Sequence, residues 1–435
     1  MAERLSYTKT HEEILADCQR VRKPATLWNL AASLINALTS VALLFILTRA
    51  TSVEVAGIFS IAYANANLWL NLGKWGMRSY QVSDWAQRFS FNEYWVSRLF
   101  STLIMIAMGL LWLWFTAYTN SYTDYKIAVV AVMLVFKAVD AVEDVYHARY
   151  QQQGRLDVAA MLLTLRLGST LVLLATLVAI TGDLLMPLVV STIYTAVFLV
   201  ISVLVLAAKK PYGRRSGSVR MRNVFDLLWD SAPLAAELFL TFYLTNASKY
   251  AIDGMMNDAA QAMFNFISMP VFVVALLAST IFNPLIVEFT AHYNEGRRAP
   301  FMALCKRQIL TILGITVVCD AAIALLGVPV LGWLFNTNLD AYWLNMIVLM
   351  TGGGFTALSF FLTNIIAVMR VQKWLLVGYT PSALFALLAA GPFVEMWGLD
   401  GASWVYFISV LIPAVLFCII SIMLLRKPFP KENDD

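Results

Sequence analysis

Apolar residues run along this chain in long blocks separated by short polar joints. A helix needs about 20 mostly apolar residues to cross the hydrocarbon core of a bilayer. Twelve windows meet that length, near 27–48, 54–75, 97–118, 126–147, 158–180, 185–207, 229–250, 262–285, 309–332, 344–368, 375–396 and 402–425. The pattern predicts an all-α polytopic membrane protein. The joints are short except for the basic stretch "KKPYGRRSGSVRMRN" after Ala208, which divides the spans into six and six. The expected organisation is an N-terminal arm (1–26), a six-helix lobe (27–208), a basic linker (209–224), a second six-helix lobe (225–425) and a tail (426–435).

Composition agrees with this pattern. The chain is 60% hydrophobic and 13% charged, with a mean hydropathy of +0.71, against roughly 25% charged residues in a soluble domain. Thirteen Trp and seventeen Tyr suit a protein anchored at two membrane interfaces. Of the thirty-one Lys and Arg, only Arg49 and Lys126 fall in outer joints, and Lys137, Arg166 and Lys249 fall inside spans. The remainder share one side, which predicts a cell-membrane protein with both termini cytoplasmic. The first twenty-three residues mix acids and bases without an apolar core, so they read as a cytoplasmic extension and not as a cleavable signal peptide. Cys18, Cys305, Cys319 and Cys418 lack metal-ligand spacing and read as reduced thiols. His11, His147 and His292 are too scattered for a metal site, and no nucleotide-binding or hydrolase motif is present.

Polar residues inside spans normally face a bundle interior or a wet cavity. In span 2, Asn67, Asn71, Lys74 and Arg78 recur at spacings of four, three and four, which places them on one helical face. Span 1 repeats the spacing with Asn29, Ser33, Asn36 and Ser40, where interhelical hydrogen bonding is explanation enough. Span 2 ends in two cations, and a solvated cavity accounts for them better. Span 7 carries Glu237, Thr241 and Thr245 and closes on "TNASKYAID". There Lys249 and Asp253 either pair at the outer interface or separate, with Lys249 offering a point charge to a phosphate beside Asn246 and Ser248. Arg49 ends span 1 much as Lys249 ends span 7, a faint internal repeat.

Span 4 is charged in its inner half, where Lys137, Asp140, Asp144 and His147 share a face. Arg166 on span 5 lies at the depth of Asp140, so a compensated structural network is the favoured reading and a proton relay through Asp140 and His147 the lesser one. Glu237 and Asp320 have no cation at their own depth. Each is either a neutral, hydrogen-bonded acid or, like Asp140, a candidate site for coupling to H⁺ or Na⁺. The triplet Gly352, Gly353 and Gly354 in span 10, with several prolines, marks kinks or close helix approach.

The starts "GIFSIA" and "WGMRSYQVSD" in and after span 2, and "PLAAELFLTFYLTNASKYAID" in span 7, carry a family likeness. The last resembles a recurring Pro…Asn-x-x-(Lys/Arg)-Tyr pattern, and the likeness extends over nearly the whole chain, from the first span to the twelfth. On these residues the chain resembles the multidrug/oligosaccharidyl-lipid/polysaccharide exporter superfamily, in its polysaccharide-export, Wzx-like flippase branch. The resemblance implies two six-helix bundles forming a V around a central cavity lined by spans 1, 2, 7 and 8. It implies a substrate of undecaprenyl-diphosphate-linked oligosaccharide, moved between leaflets while its prenyl tail stays in lipid. Arg49, Lys74, Arg78 and Lys249 then become candidates for the diphosphate, with Asn67, Asn71 and Asn246 beside it. No covalent bond changes, so no enzyme is implied, and no cofactor beyond an ion gradient or the membrane potential. Implied partners are the lipid-linked oligosaccharide, membrane lipids, and the polymerase and glycosyltransferases of the same pathway; no nucleic acid is implied. The main rival is a cation-coupled drug or small-solute exporter using Asp320 or Glu237. A membrane glycosyltransferase is disfavoured by the short outer joints.

Overall fold

The computed structural model describes residues 11–84, 88–209, 218–282, 285–369, 371 and 373–426. Most of the expected basic linker, the start of the N-terminal arm and nearly all of the tail lie outside those residues. The described chain is built from helices α1 (His11–Ala50), α2 (Val53–Lys74), α3 (Met77–Ser83), α4 (Phe91–Thr119), α5 (Asp124–Gln152), α6 (Leu156–Thr181), α7 (Leu185–Lys209), α8 (Met221–Met255), α9 (Asp258–Ser268), α10 (Val271–Phe282), α11 (Ile286–Asn294), α12 (Arg298–Phe335), α13 (Trp343–Val368) and α14 (Lys373–Leu425). Among the described residues the twelve apolar windows fall on helix, apart from Trp75 at the end of the second. The eighth is interrupted between α9 and α10, just before and at Pro270. The last two share α14, which turns at Gly398 through φ 56° and ψ −130°, a conformation open to glycine alone.

Eight stretches of the described residues are long and apolar enough to cross a membrane. One of them, Trp374–Leu425, holds two spans, and α2, α5 and α8 supply the other three. Those three fall short because they hold Asn67 and Asn71, Lys137 and Asp140, and Glu237 and Lys249. The protein is thus a multi-pass, all-α membrane protein. Large apolar side chains stand out from the unpartnered faces of α4, α7, α12 and α14, among them Trp114, Val200, Leu325 and Leu387. Such faces suit hydrocarbon.

Helix ends still need partners for their first amides. Ser90 and Glu93 form a reciprocal capping box at α4, with Ser90 N donating to Glu93 Oε2 at 2.7 Å. Thr123 and Asn257 cap α5 and α9. Asp183 caps α7, accepting from Met186 N at 3.0 Å and from Tyr125 Oη at 2.8 Å. Partial burial raises its carboxyl, but those donors outweigh burial and hold it below its ordinary pKa range.

The chain divides into two compact units, Met1–Phe239 and Leu240–Asp435, with the boundary inside α8. In the first unit α5 is central, packed against α2, α3, α4, α6 and α7. Every residue from Glu143 to Tyr150 is buried. In the second unit α13 holds the corresponding place, against α9, α10, α11, α12 and α14. Its three glycines each meet a different helix. A Cβ at Gly352 would come within 2.7 Å of the Tyr406 ring, and one at Gly353 within 2.9 Å of Val271 Cγ1 and 3.1 Å of its carbonyl oxygen. At Gly354 it would strike Thr316. The triplet is therefore a three-way close approach, and the helix stays regular through it.

This packing predicts that Gly353→Leu costs about 1–3 kcal/mol or more by overpacking and lowers the thermal midpoint of the detergent-solubilised protein by several degrees. Gly314→Ala, where nothing lies within 4 Å, leaves the midpoint unchanged or raises it, since Ala favours a helix by about 1 kcal/mol over Gly.

Candidate functional site

The charged residues of the first unit converge on α5. Arg166 of α6 is 1% exposed and lies 2.7 Å from both Asp140 Oδ1 and Glu143 Oε2. Its Nε also donates to Glu143 at 2.8 Å. Lys137 Nζ sits 3.1 Å from Asp140 Oδ2 and 4.8 Å over the Tyr63 ring of α2. His147 Nε2 lies 3.6 Å from Glu143 Oε1, one turn back on the same helix. Arg166 thus stands between Asp140 and its surroundings, which favours the compensated network over a proton relay through Asp140 and His147.

A second cluster joins this one a turn further along. Arg98 of α4 is fully buried, donating to Asp144 Oδ2 at 2.9 Å and to the Gly73 carbonyl at 2.8 Å. Ser101 Oγ donates to the same carbonyl at 2.7 Å. Gly73 lies in the last turn of α2, so its carbonyl has no helical amide to accept from, and a buried cation there also meets the negative end of the helix dipole. Arg78 lies 3.5 Å from Asp144 Oδ1 and donates to Gln151 Oε1 at 3.2 and 3.0 Å. Its side chain is 36% exposed, so it borders the network's open edge.

The expected stripe on span 2 is corrected at this point. Asn67, Asn71 and Lys74 do share a face of α2, but the helix stops at Lys74. Trp75 and Gly76 both adopt left-handed conformations, with φ 51° and 63°. Trp75 Nε1 donates to the Leu228 carbonyl at 2.9 Å, and a Cβ at Gly76 would lie 2.6 Å from Leu234 Cβ. Packing against α8 therefore fixes the break, and Arg78 comes to the cluster from the separate helix α3. The amides of Asn67 and Asn71 donate back to Tyr63 and Asn67 carbonyls at 2.8 and 2.9 Å.

Lys74 itself is half-buried and within electrostatic reach of Asp140 and Asp144. It makes no ion pair within 4 Å among the described residues. The cluster then counts five cations, Lys74, Arg78, Arg98, Lys137 and Arg166, against the carboxylates Asp140, Glu143 and Asp144. Two positive charges remain uncompensated when His147 is neutral.

The other expected residues lie elsewhere. Arg49 is exposed at the far end of α1, its guanidinium 4.9 Å over the Phe45 ring. The length of α2, roughly 30 Å at 1.5 Å per residue, separates it from Lys74, so the two do not share a site. In the second unit Lys249 is half-buried and makes no ion pair among the described residues, so the interfacial pair with Asp253 is not formed. Asn246 donates to the Phe242 carbonyl at 3.0 Å and to Thr245 Oγ1 at 3.2 Å. Ser248 is not a donor beside Lys249: it is buried and gives its proton to the Ala402 carbonyl at 2.6 Å. Asp320 accepts from Thr351 Oγ1 at 3.1 Å. Glu237 is half-buried, with no hydrogen bond or ion pair among the described residues.

Three members of the network escape the sequence reading, namely Arg98, Glu143 and Gln151. Arg98 falls at the edge of its apolar window and so reads as a joint residue. The signal that corrects it is Ser90-x-x-Glu93, a capping box that starts α4 two turns earlier. Among the described residues no group of His, Cys, Asp and Glu is placed to hold a metal ion.

A family model described as polysaccharide biosynthesis protein matches residues 24–290. No protein with a curated description matches the chain. Among solved structures, an inward-facing multidrug resistance MATE family transporter of the MOP superfamily superposes with a TM-score of 0.63 at 15% identity, over 91% of this chain and 94% of that one. A Vibrio cholerae MATE transporter superposes at 0.61 and 11% identity, over 94% and 97%. A MOP superfamily transporter from Pyrococcus furiosus, described as having a binding pocket of reverse polarity that suggests a different function, superposes at 0.55 and 13%, over 97% and 100%. At these identities the likeness shows a common fold.

Arg166→Met strips Glu143 of its cation and leaves Asp140 with Lys137 alone, and is expected to cost about 3–5 kcal/mol, the range for breaking one side of a buried ion pair. Arg166→Met combined with Glu143→Leu recovers part of that loss, because Asp140 keeps Lys137. Thermal unfolding of the detergent-solubilised variants reads both values, and a double variant less stable than the single one would contradict the assignment.

Proposed function

The chain belongs to the polysaccharide biosynthesis protein family, and from that premise we propose that it is a flippase for lipid-linked oligosaccharide. Its substrate is a polyprenyl-diphosphate-linked glycan, carried across the cytoplasmic membrane for surface polysaccharide assembly. Both termini face the cytoplasm, and the polymerase and glycosyltransferases of the same route are its expected partners.

One observation carries the reading: the charge cluster on α5 keeps a positive excess among the described residues, with Lys74 near Asp140 and Asp144 but in no ion pair within 4 Å, and Arg78 at its open edge. Taking a diphosphate through hydrocarbon without compensation costs many kcal/mol. Cations held in place replace part of the lost hydration. Lys74 supplies a compact point charge, and Arg78 a planar fork that can grip two phosphate oxygens at once. Asn67 and Asn71 share a face of α2 with Lys74, and their side-chain amides are the groups proposed to meet sugar hydroxyls. The site then opens to one side of the membrane and afterwards to the other, and no bond is made or broken. Arg49, an outer-end cation, belongs to release and not to this cradle.

One observation favours a second reading. Glu237 is a half-buried carboxyl without a cation among the described residues, the arrangement expected of a proton- or sodium-coupled exporter of organic cations. In the flippase reading Glu237 and Asp320 serve as the coupling acids.

In proteoliposomes, wild-type protein is expected to move a fluorescent polyprenyl-diphosphate oligosaccharide between leaflets. Lys74→Ala slows that movement about tenfold or more, equivalent to ~1.4 kcal/mol, and Lys74→Arg restores most of it. Unaltered flipping in Lys74→Ala would remove Lys74 from the cradle. Efflux of an organic cation that Glu237→Gln abolishes, with no lipid movement, would establish the second reading instead.

A further inference from the structure

The first turns of α12 carry a charge pattern that neither the packing of the second unit nor the cation cluster of the first uses. α12 runs for 38 residues, Arg298–Phe335, or roughly 57 Å at 1.5 Å per residue. A bilayer core of about 30 Å needs only about 20 residues. The surplus lies at the start of the helix, because its apolar window opens near residue 309. That surplus does not stand free. Phe301, Cys305, Gln308, Ile312 and Thr316 are buried at spacings of four, three, four and four. The Phe301 ring meets Phe289 of α11 edge to face, with centroids 5.5 Å apart. One buried seam thus runs from the surplus into the span, and it fixes where the other faces of the helix point.

Away from that seam, Lys306, Leu310, Leu313 and Val317 follow one another at spacings of four, three and four, which sets them on a single stripe. All four are exposed, Leu310 at 57% and Val317 at 66%. Met302 extends the stripe by one turn, and Arg298 and Arg307 are exposed on either side of it. From Lys306 to Val317 the stripe is ~17 Å long, about half of the ~30 Å hydrocarbon thickness. A cation heading an apolar stripe one leaflet long has the outline of a phospholipid, with phosphate at the amine and an acyl chain along the leucines.

Charge specifies the lipid. The sequence holds no Asp or Glu between Glu295 and Asp320, but it holds Arg297, Arg298, Lys306 and Arg307. Arg297 pairs with Glu295. The other three make no ion pair among the described residues. Glu288 of the adjoining α11 lies 3.7 Å from His292 on its own helix and pairs with none of them. Three positive charges therefore meet at the rim of the span. Membrane insertion alone does not require this, for α6 starts on the same side by span count with Arg155 and Asp157 paired at 2.8 Å. A zwitterionic head group brings its own cation and gains little at such a rim. An anionic one gains about fivefold in occupancy for each Lys or Arg near the surface.

We propose that the start of α12 is a binding site for an anionic phospholipid of the adjoining leaflet. Its phosphate rests on Lys306, flanked by Arg298 and Arg307, and an acyl chain lies along Leu310, Leu313 and Val317. The site is independent of the substrate proposed above, and it anchors the second unit at the membrane surface through a lipid of defined charge.

The test is photo-crosslinking of the full-length protein in phosphatidylcholine nanodiscs. The probes are trace phosphatidylglycerol and trace phosphatidylcholine carrying the same acyl-chain diazirine. Phosphatidylglycerol is expected to mark the peptide Met302–Val317 about fivefold or more above phosphatidylcholine. The peptide around Leu165 and Val172 on α6 shows a ratio near one. Arg298→Gln, Lys306→Gln and Arg307→Gln together bring the α12 ratio to near one. They leave its phosphatidylcholine labelling unchanged, which reports that the stripe and the fold persist. Equal wild-type labelling by the two lipids, or an excess that the triple variant retains, overturns the proposal. An equal excess on α6 also overturns it, since the attraction would then belong to the whole protein surface. So does loss of the excess when sodium chloride is exchanged for sodium phosphate at constant ionic strength, because the cations would then prefer a free anion.

Discussion

The first unit depends on ion pairs made where water is scarce. Charges taken into a hydrocarbon-depth core persist only when partners meet them with good geometry. Here Arg166 holds two carboxylates of α5 at 2.7 Å, and Arg98 holds a third at 2.9 Å together with the end of α2. These contacts tie α2, α4, α5 and α6 into one bundle and set the register between them. They also set the polarity of the site, because the same acids that fix Arg98, Arg166 and Lys137 leave nothing to neutralise Lys74 fully. In the function proposed above, structural role and substrate preference arise from one charge count.

The fourth span of each unit occupies the same central place, and the two are filled in opposite ways. In α5 the contacts are ionic, running from Lys137 to Gln151. In α13 they are steric, with Gly352, Gly353 and Gly354 each admitting another helix. An ionic centre can carry excess charge, whereas a glycine centre can bring helices close.

Most of the fold was legible in the sequence, because hydrocarbon thickness imposes a length and a composition that short joints cannot imitate. Among the described residues the twelve windows lie on helix apart from Trp75 and the break just before and at Pro270, and the resemblance carried by "WGMRSYQVSD" and span 7 is borne out at the level of family and fold. Arg166 opposite Asp140 was legible as well, since depth along two neighbouring spans could be counted from their joint. The break at Trp75–Gly76 was not. Periodicity extends a helix until something stops it, and what stops α2 is Leu228 and Leu234, some 150 residues away. Ser248 and Lys249 show the same limit. Adjacent in sequence, they differ in fate because Ala402 takes one hydroxyl and, among the described residues, no acid pairs with the amine.

The central claim is that the positive excess on α5 selects an anionic head group. Equilibrium binding in nanodiscs measures this directly, comparing a polyprenyl-diphosphate glycan with the same glycan on an uncharged polyprenyl linkage and with an organic cation. The account predicts that the diphosphate form binds about tenfold tighter or more, equivalent to ~1.4 kcal/mol or above, and that the organic cation does not compete. Equal affinity for the uncharged form, or displacement by the organic cation, would contradict it.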